Sequence, residues 1–416
     1  MKLKKLYSLY SKYFLVSTDT RNIQKNSIFF ALKGENFNGN KFASLAIENG
    51  ASYAIIDEKK YSSKNTILVD NVLETLQQLA KYHRQQLEIS IIGLTGSNGK
   101  TTTKELINSV LSKKHKTTAT FGNLNNHIGV PLTLLSMTSE TEIGIVEMGA
   151  NHHKEIEFLC SIAEPDYGYI TNFGKAHLEG FGSVEGVIEA KSELYNYCIK
   201  NNKTLFVNPK DKIQIQKSKG AEIVLFHKEL FFLEVNPFVK IDNKKLIIQS
   251  NLIGKYNYNN IAAAITIGEY FKIENSLIKE AIEGYIPTNN RSQIIKKGTN
   301  KIILDAYNAN PTSVKAALEN FHLLNDKSKI VILGDMFELG NESKNEHQQI
   351  SSLCEDLKFD TVYLVGENFH QIKTKNKTFD SFEQLKKHIE NSNLKDNTVL
   401  IKGSRGMALE RLLDLF

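Results

Sequence analysis

A glycine-rich turn is the segment of this sequence best suited to chemistry. It follows the apolar stretch Ile89–Leu94 and precedes a helical pattern. Gly96 and Gly99 allow backbone N–H groups to point at an anion, Lys100 adds a positive charge, and Thr101 offers a hydroxyl to Mg²⁺. The spacing departs from the usual phosphate loop, because a leucine rather than a glycine stands five residues before Gly99. We predict a nucleotide phosphate site, and the lack of a guanine-reading Asn-Lys-x-Asp sequence favours ATP.

Two residues with metal-binding groups follow other apolar strand patterns. Glu147 ends the stretch that begins at Ile143, and His177 comes six residues after the stretch Tyr167–Thr171. The carboxyl ends of parallel strands meet at one edge of a sheet, so both side chains are expected beside the phosphate loop. A carboxylate and an imidazole there suit a divalent cation bound to ATP. Either residue alone is more typical of a structural role, and their shared placement favours the functional interpretation.

Lys191 is unusual because it lies in line with an apolar stripe. The segment Ser183–Ile199 has its apolar residues at helical spacing, so the lysine is expected to be partly buried. Burial lowers the pKa of a lysine and yields a neutral amine, which can react or be carbamylated by CO₂. The alternative is a lysine whose ammonium reaches solvent from the edge of the stripe.

Length and pattern together predict three domains. The chain has 416 residues, and a domain averages roughly 150. We expect the domains to span residues 1–86, 87–287 and 288–416. The second boundary rests on Tyr285–Asn290, where a proline and the pair Asn289–Asn290 interrupt a helix that starts at about Glu274.

Apolar strand patterns followed by helical patterns recur along the chain. This alternation predicts parallel sheets covered on both faces, with a second doubly wound domain at the C-terminus in which each strand precedes a helix. The N-terminal block is expected to begin with an amphipathic helix and to end with a helix over Val72–Leu87. The expected strands are Ser27–Leu32, Ser52–Ile56, Ile89–Leu94, Ile143–Glu147, Tyr167–Thr171, Thr204–Val207, Lys301–Ala306, Ile330–Leu333, Thr361–Val365 and Thr398–Ile401.

Composition excludes several classes of protein. Hydrophobic residues make up 41% and charged residues 24%, which excludes a disordered or collagen-like chain. The net charge of +6 is too small for the basic face of a nucleic-acid-binding protein. The three cysteines lack zinc or disulfide spacing and suit a reducing cytosol. Since no apolar run reaches about 18 residues, we expect no membrane span.

These motifs resemble the Mur ligases of peptidoglycan synthesis over essentially the whole chain. Thr95–Thr102 is similar to the family's own form of the phosphate loop, which accounts for the missing first glycine. One departure is Asn38-Gly-Asn40, near the expected uridine site, where the family usually has Asp-Gly-His. The other matching segments are Thr18–Arg21, Phe29–Gly34, Asn123–Thr133, Glu147–Asn151, His177–Gly182, Glu189–Lys191, Gly254–Asn260, Asp305–Pro311, Leu333–Gly340 and Lys402–Arg405.

The resemblance implies an α/β fold of three domains. These are a small N-terminal α/β domain that binds the UDP substrate, a central phosphate-loop domain whose parallel sheet binds ATP, and a C-terminal Rossmann-like domain. The C-terminal motifs look like those of family members that add D-alanyl-D-alanine. The implied reaction passes the γ-phosphoryl group of ATP to the terminal carboxylate of UDP-N-acetylmuramoyl-tripeptide, and the dipeptide amine then displaces phosphate. ATP and Mg²⁺ are implied, in a cytoplasmic monomer with no nucleic-acid partner.

The resemblance also implies roles for individual residues. Catalytic roles fall to Lys100, His177, Lys191 and Arg291. The nucleotide would be bound by Thr95, Gly96, Ser97, Asn98, Gly99, Lys100, Thr101, Thr102, Asn257, Asn260, Arg291 and Asp305. Metal ions would be held by Thr101, Glu147, His177 and carbamylated Lys191. The substrates would be bound by Thr20, Arg21, Asn38, Asn125, Asn126, Tyr307, Asn308, Asn310 and Arg405.

The local sequence supports two of these assignments. Asn310 followed by Pro311 is typical of a helix cap with proline at the first helical position, which places Asp305 at the end of the preceding strand. Arg405 falls at a predicted helix start, where the helix dipole disfavours a cation. We therefore expect Arg405 to meet an anion, either the dipeptide carboxylate or an acidic residue on a neighbouring loop.

Two other functions are compatible with a phosphate loop. One is another ligase on the same scaffold, which adds a diamino acid or extends folate with glutamate; the Tyr307–Pro311 stretch argues against it. The other is an ATP-driven switch that makes no covalent product, and an arginine-bearing C-terminal lobe argues against that. The sequence leaves open whether the tripeptide ends in meso-diaminopimelate or L-lysine.

Overall fold

A computed structural model describes residues 3–288, 290–392 and 394–416 of the chain. Asn289, half of the asparagine pair used to place the second boundary, lies outside them. The helices and strands form three successive blocks along the chain, and each block is built around its own sheet. No helix among the described residues is both long enough and apolar enough to cross a membrane.

The N-terminal block is a four-stranded parallel sheet of order β1-β2-β5-β6 with a small hairpin. The predicted first amphipathic helix is confirmed as α1. The elements are α1 Leu3–Tyr10, β1 Val16–Ser17, β2 Ile28–Phe30, β3 Lys33–Gly34, β4 Phe37–Asn38, α2 Ala43–Glu48, β5 Tyr53–Ile56, β6 Thr66–Leu68 and α3 Val72–Gln86.

The central block is a six-stranded sheet of order β12-β11-β10-β7-β9-β8 in which every pair is parallel. A separate antiparallel sheet, β13-β14-β15, follows it, and the sequence patterns did not predict this sheet. The elements are β7 Ser90–Thr95, α4 Lys100–Leu111, β8 Thr117–Ala119, α5 Gly129–Leu135, β9 Ile143–Glu147, α6 Glu155–Ala163, β10 Tyr167–Ile170, α7 Leu178–Phe181, α8 Val184–Lys200, β11 Thr204–Val207, α9 Lys212–Lys217, β12 Glu222–Leu225, β13 Leu230–Val235, β14 Phe238–Asn243, β15 Leu246–Ile253, α10 Asn257–Tyr270 and α11 Asn275–Gly284.

The C-terminal block has a sheet of order β16-β17-β21-β18-β19-β20, parallel except for the edge strand β16. Its strands are apolar on both faces: Val331 packs into one hydrophobic cluster and Ile330 and Ile332 into another, as expected for a doubly wound sheet. The elements are β16 Gln293–Lys297, β17 Asn300–Asp305, α12 Pro311–Leu323, β18 Lys329–Gly334, α13 Ser343–Leu357, β19 Thr361–Val365, α14 Glu367–His370, β20 Lys377–Phe379, α15 Phe382–Glu390 and β21 Thr398–Lys402.

One expectation for this block is wrong. The strand β21 is not followed by an α-helix but by two 3₁₀ segments, Arg405–Met407 and Leu409–Leu415. A three-residue 3₁₀ turn carries only a small dipole, so the helix-dipole argument for an anion at Arg405 is lost. The predicted cap at Asn310 is confirmed, since its side chain accepts a hydrogen bond from the backbone of Ser313 and Pro311 begins α12.

Arg84, near the end of α3, fastens the N-terminal block to the central one. Its guanidinium contacts Asp166 at 2.8 Å and donates to the backbone carbonyls of Ala163 and Glu164. Three acceptors in different directions use the fork geometry of arginine, which a lysine cannot reproduce. The helix α3 also packs against α5 and α6, so the contact closes an apolar interface.

Replacing Arg84 by alanine should therefore lower the free energy of unfolding by about 2 kcal/mol, because the part-buried carbonyls of Ala163 and Glu164 lose their charged donor. Arg84→Lys should recover only part of that loss. Urea unfolding of the three proteins checks this, and equal transition midpoints for wild type and Arg84→Ala would contradict it.

Candidate active site

The phosphate loop lies at the centre of the parallel sheet, between two neighbouring strands. It follows β7, which pairs with β9 on one side and β10 on the other, with Leu94 opposite Glu147 and Thr95 opposite Ile170. The residues that follow the three strands therefore emerge side by side. This topology confirms that Glu147, His177 and the loop share one edge of the sheet.

Two glycines of the loop are required by their surroundings. Gly96 has φ +143 and Gly99 has φ +77, which residues with a side chain rarely adopt. A Cβ at Gly96 would collide with the hydroxyl of Thr171, and one at Gly99 would lie 2.7 Å from the Oδ1 of Asn260. The close approach brings α10, which carries Asn257 and Asn260, directly against the loop.

Lys100 begins α4 and turns back over the loop. Its ammonium donates to the carbonyl of Gly96 at 2.7 Å. Burial lowers the pKa of Lys100, the positive charge of Arg291 lowers it further, and the carboxylate of Glu147 opposes both effects. Two cations facing one space form an electrostatic environment that favours an anion, and a phosphate chain is the anion that such a loop binds.

Thr101 and Glu147 form a pair suited to a divalent cation. The carboxylate of Glu147 is buried, accepts a hydrogen bond from the Thr101 hydroxyl at 3.0 Å, and accepts another from the Asn125 amide at 2.8 Å. A hydroxyl and a carboxylate are ligands that Mg²⁺ uses together with phosphate oxygens and water. Within the described residues, no three His, Cys, Asp or Glu side chains cluster as a complete metal site. These residues fit a Mg²⁺ ion whose other ligands are phosphate oxygens and water molecules.

Lys191 is fully buried, more than the sequence predicted. Its Nζ donates to the carbonyl of Ala150 at 3.0 Å and lies 4.9 Å from the ring centre of Phe181. Burial is the main cause that lowers its pKa to about 7, and Lys100 adds to it. The ring of Phe181 also lies near that of His177, at 6.3 Å between centres, so two of the predicted metal ligands neighbour the same aromatic ring.

The C-terminal domain supplies a second wall of the site. The guanidinium of Arg291 stacks on the ring of Tyr307 at 3.7 Å, and that of Arg405 lies 5.3 Å from the same ring. The Nε of Arg291 is buried without a hydrogen-bond partner, which leaves a donor available to an anionic ligand. The carboxylate of Asp305 contacts the buried ammonium of Lys402 at 2.6 Å and accepts from the backbone of Ser292.

A cavity of about 610 Å³ lies between the two walls. Both domains line it, and a hydrogen bond of 2.7 Å from Asn310 to Asn98 of the phosphate loop joins them at its edge. Predicted site residues that line the cavity are Ser97, Asn98, Gly99, Lys100, Thr101, Thr102, Asn125, Asn126, Glu147, His177, Asn257, Asn260, Arg291, Asp305, Tyr307, Asn308 and Asn310.

Other predicted site residues do not line this cavity: Thr20, Arg21, Asn38, Thr95, Gly96, Lys191 and Arg405. The side chain of Asn38 donates a hydrogen bond to Glu58 and accepts one from Asn40, which in turn donates to Asp57. The Asn38-Gly-Asn40 sequence, which differs from the usual family sequence, therefore connects the hairpin to the end of β5. Arg21 is exposed and paired with Asp19. The three N-terminal residues therefore belong to a surface separate from the cavity.

Three contacts in the site were not predicted from the sequence. Lys402 and Glu338 lie inside segments singled out by resemblance but were given no role, and they contact Asp305 and His177 respectively. The side chain of Asn172 accepts from the backbone N–H of Asn98 and donates to its carbonyl, which fixes the turn of the loop. Only the position of Asn172 just after a strand beside the loop signalled this.

Family models match the chain in three successive segments. "Mur ligase family, catalytic domain" covers residues 12–84, "Mur ligase middle domain" covers 94–268, and "Mur ligase, glutamate ligase domain" covers 290–405. The chain belongs to the Mur ligase family. The family expectation and the three-domain α/β architecture that it implied are confirmed.

Among members of the Mur ligase family, several are similar over nearly the full length. The UDP-N-acetylmuramoyl-tripeptide--D-alanyl-D-alanine ligase of Bacillus subtilis (strain 168) is 34% identical over 96% of this chain and 92% of that protein. A crystal structure of MurF from Acinetobacter baumannii is 31% identical, with a TM-score of 0.86 over 96% of this chain and 92% of that one. MurF ligase from Thermotoga maritima, in complex with ADP, is 27% identical, with a TM-score of 0.84 over 97% and 96%.

The buried amine of Lys191 should make stability depend on pH. Its pKa is about 7 in the folded chain and near 10.5 when exposed, so between these values the unfolded chain binds a proton that the folded chain lacks. The free energy of unfolding therefore rises with pH across that window, by up to roughly 1.4 kcal/mol per pH unit. Lys191→Met should remove this contribution.

The measurement is urea unfolding of wild type and Lys191→Met from pH 7 to pH 10 in CO₂-free buffer, which keeps the amine unmodified. The difference between the two proteins isolates Lys191 from other titrating groups. An identical pH dependence in both would show that the amine is not protonated differently in the folded state.

Proposed function

We propose that this chain is an ATP-dependent ligase that joins D-alanyl-D-alanine to UDP-N-acetylmuramoyl-tripeptide and so forms the pentapeptide precursor of peptidoglycan. The observation that carries the proposal is a cavity shared by two domains, in which the phosphate loop of one faces Arg291 and Asp305 of the next. The similarity to UDP-N-acetylmuramoyl-tripeptide--D-alanyl-D-alanine ligases over 96% of the chain supports the choice of substrates.

The chemistry that suits this cavity is activation of a carboxylate by ATP. A carboxylate is a poor electrophile at neutral pH, and transfer of the γ-phosphoryl group converts it to an acyl phosphate with a good leaving group. The dipeptide amine then attacks the acyl carbon, and the tetrahedral intermediate collapses with loss of phosphate. Positioning and electrostatic stabilisation are the main contributions that a protein makes to such a transfer.

Residues of the central and C-terminal domains would both contribute to this phosphoryl transfer. Lys100 and Arg291 face the same space and would neutralise the charge that develops on the transferred phosphoryl group. Thr101 and Glu147 would hold one Mg²⁺, and His177 with carbamylated Lys191 would hold a second. When bound, Mg²⁺ would screen the phosphate charges and orient their oxygens. The neutral amine of Lys191 is the form that reacts with CO₂, and its pKa of about 7 supports this role.

Binding of the three substrates would be divided among the three domains, for which we propose the bounds 1–86, 87–287 and 288–416. Thr95–Thr102 would hold the phosphates, Asn257 and Asn260 would lie near the adenine, and Asp305 would meet the ribose. The C-terminal residues Tyr307, Asn308, Asn310 and Arg405 would bind the dipeptide. The UDP substrate would contact Thr20, Arg21, Asn38, Asn125 and Asn126. Since ATP and a UDP precursor are its substrates, we propose that the enzyme acts in the cytoplasm, as a monomer.

The first test is phosphate release from ATP and Mg²⁺ with each substrate present or omitted. We expect release to require both UDP-N-acetylmuramoyl-tripeptide and D-alanyl-D-alanine, and mass spectrometry to detect the pentapeptide. Lys100→Ala should reduce the rate at least about 100-fold, because it removes a charge from the phosphate site. Release that is indifferent to the dipeptide would instead indicate an ATP-driven switch, and release with another amine would indicate another ligase.

The role of Lys191 is tested separately. Lys191→Ala should abolish ligation, and added acetate or formate should restore part of it if a carbamate is the active form. Lys200→Ala is the matched control, because Lys200 ends the same helix and is exposed. Thermal melting establishes that the variants fold. Full activity in Lys191→Ala would end the carbamate hypothesis, and a folded, inactive variant without rescue would assign the amine itself the essential role.

A further inference from the structure

His177 and Glu338 meet across the boundary between the central and C-terminal domains. An Oε2 of Glu338 lies 2.5 Å from the Nδ1 of His177, and the backbone carbonyl of Glu338 accepts a hydrogen bond of 3.1 Å from the N–H of Glu179. The ring N–H is not aimed at the oxygen well enough to count as a hydrogen bond, although the distance is short.

Both partners of this contact have an unusual backbone. His177 has φ +54 and Glu338 has φ +61, although neither is glycine. Such conformations cost energy, persist only where the surrounding structure imposes them, and concentrate at functional sites. Two of them facing each other across a domain boundary indicate that this contact is imposed by the fold.

Contacts on both sides of Glu338 support the loop that carries it. On one side of Glu338, the backbone N–H of Met336 donates to the buried ring of His347 at 3.0 Å, and that of Phe337 donates to the hydroxyl of Ser404 at 3.0 Å. On the other side, Gly340 packs on Glu179. The carboxylate is therefore presented from a supported position.

The contact selects one form of the His177 ring. A neutral imidazole carries its proton on one nitrogen and a lone pair on the other, and a carboxylate beside one nitrogen favours the proton there. The Nδ1 is buried, and among the described residues Glu338 is its polar contact, while His177 is one of the residues that line the cavity. The lone pair is then left on Nε2.

We propose that Glu338 is a positioning residue, which holds His177 in the Nδ1–H tautomer and so directs a lone pair of Nε2 to the active-site cavity. This rests on the proposed function, in which that lone pair would serve the second Mg²⁺. Carboxylates that orient metal-binding histidines in this way recur in proteins, and their loss reduces affinity or activity by about 10- to 100-fold. The C-terminal domain would thereby complete a ligand that belongs to the central domain.

Other contacts hold the two domains together, so Glu338 is not needed as a clamp. Lys175 contacts Glu346 at 2.6 Å, and its backbone N–H donates to the hydroxyl of Thr312 at 2.9 Å. Asn310 adds its bond to Asn98. Removal of the Glu338 carboxylate should leave this arrangement in place.

The decisive variant is Glu338→Gly, which removes the carboxylate and relieves the left-handed backbone at once. A purely structural residue would lose stability, whereas a positioning residue should lose activity while the melting temperature stays equal or rises. We expect kcat to fall 10- to 100-fold with the KM for ATP changed less than about threefold. Glu338→Gln should retain intermediate activity, because its amide oxygen can accept the same N–H. Glu342→Ala is the matched control: it removes a charge from the same segment at an exposed position without a contact to His177.

The tautomer itself is read from ¹⁵N spectra of the histidine rings in the ligand-free protein at pH 8.5, with His177→Asn to assign the signal. Wild type should show the Nδ1–H form, and Glu338→Gly a mixture with the Nε2–H form. An unchanged tautomer, or an unchanged kcat in Glu338→Gly, would overturn the inference. If the wild type forms no pentapeptide, the proposed function fails, and the spectra still decide the role of Glu338.

Discussion

The parallel pairing of β7 with β9 and β10 is the constraint on which the site depends. Each strand is buried and apolar, and each ends at the same edge in a residue or loop that carries chemistry. The register sets Leu94 opposite Glu147, so the carboxylate lies within hydrogen-bond reach of Thr101 in the first turn of α4. A one-residue shift of either pair would move Glu147 or the loop before His177 to the opposite face of the sheet.

The site also concentrates positive charge, and the protein holds this charge in low-dielectric surroundings. Burial lowers the pKa of both lysines, Lys100 and Lys191, the charge of Arg291 lowers that of Lys100 further, and the charge of Lys100 lowers that of Lys191. Such an arrangement is unfavourable for the protein alone and becomes favourable when a triphosphate supplies negative charge. Burial and, to a lesser extent, the positive charge of Lys100 bring the pKa of Lys191 to about 7, which links the phosphate site to the reactivity of a residue on another helix.

Local chemistry determined what the sequence could predict. The phosphate loop, the cap at Asn310 and the burial of Lys191 depend on neighbouring residues or on helical spacing, and each was found where expected. The pairs formed by Lys402 with Asp305 and by Glu338 with His177 depend on sheet order and domain packing, which one sequence does not display. The antiparallel sheet β13-β14-β15 was missed because its first strand is an apolar run, Leu-Phe-Phe-Leu, without clear alternation.

The contacts of Arg291 and Arg405 with Tyr307 have a consequence for the affinity with which an anion is bound. Long arginine side chains lose conformational entropy when they bind an anion, and this loss of entropy weakens binding. Here one aromatic ring contacts both guanidinium groups in the folded chain, most closely that of Arg291, and this contact restricts their motion. Part of the entropic cost of ordering these arginines is therefore met by folding, before any anion binds.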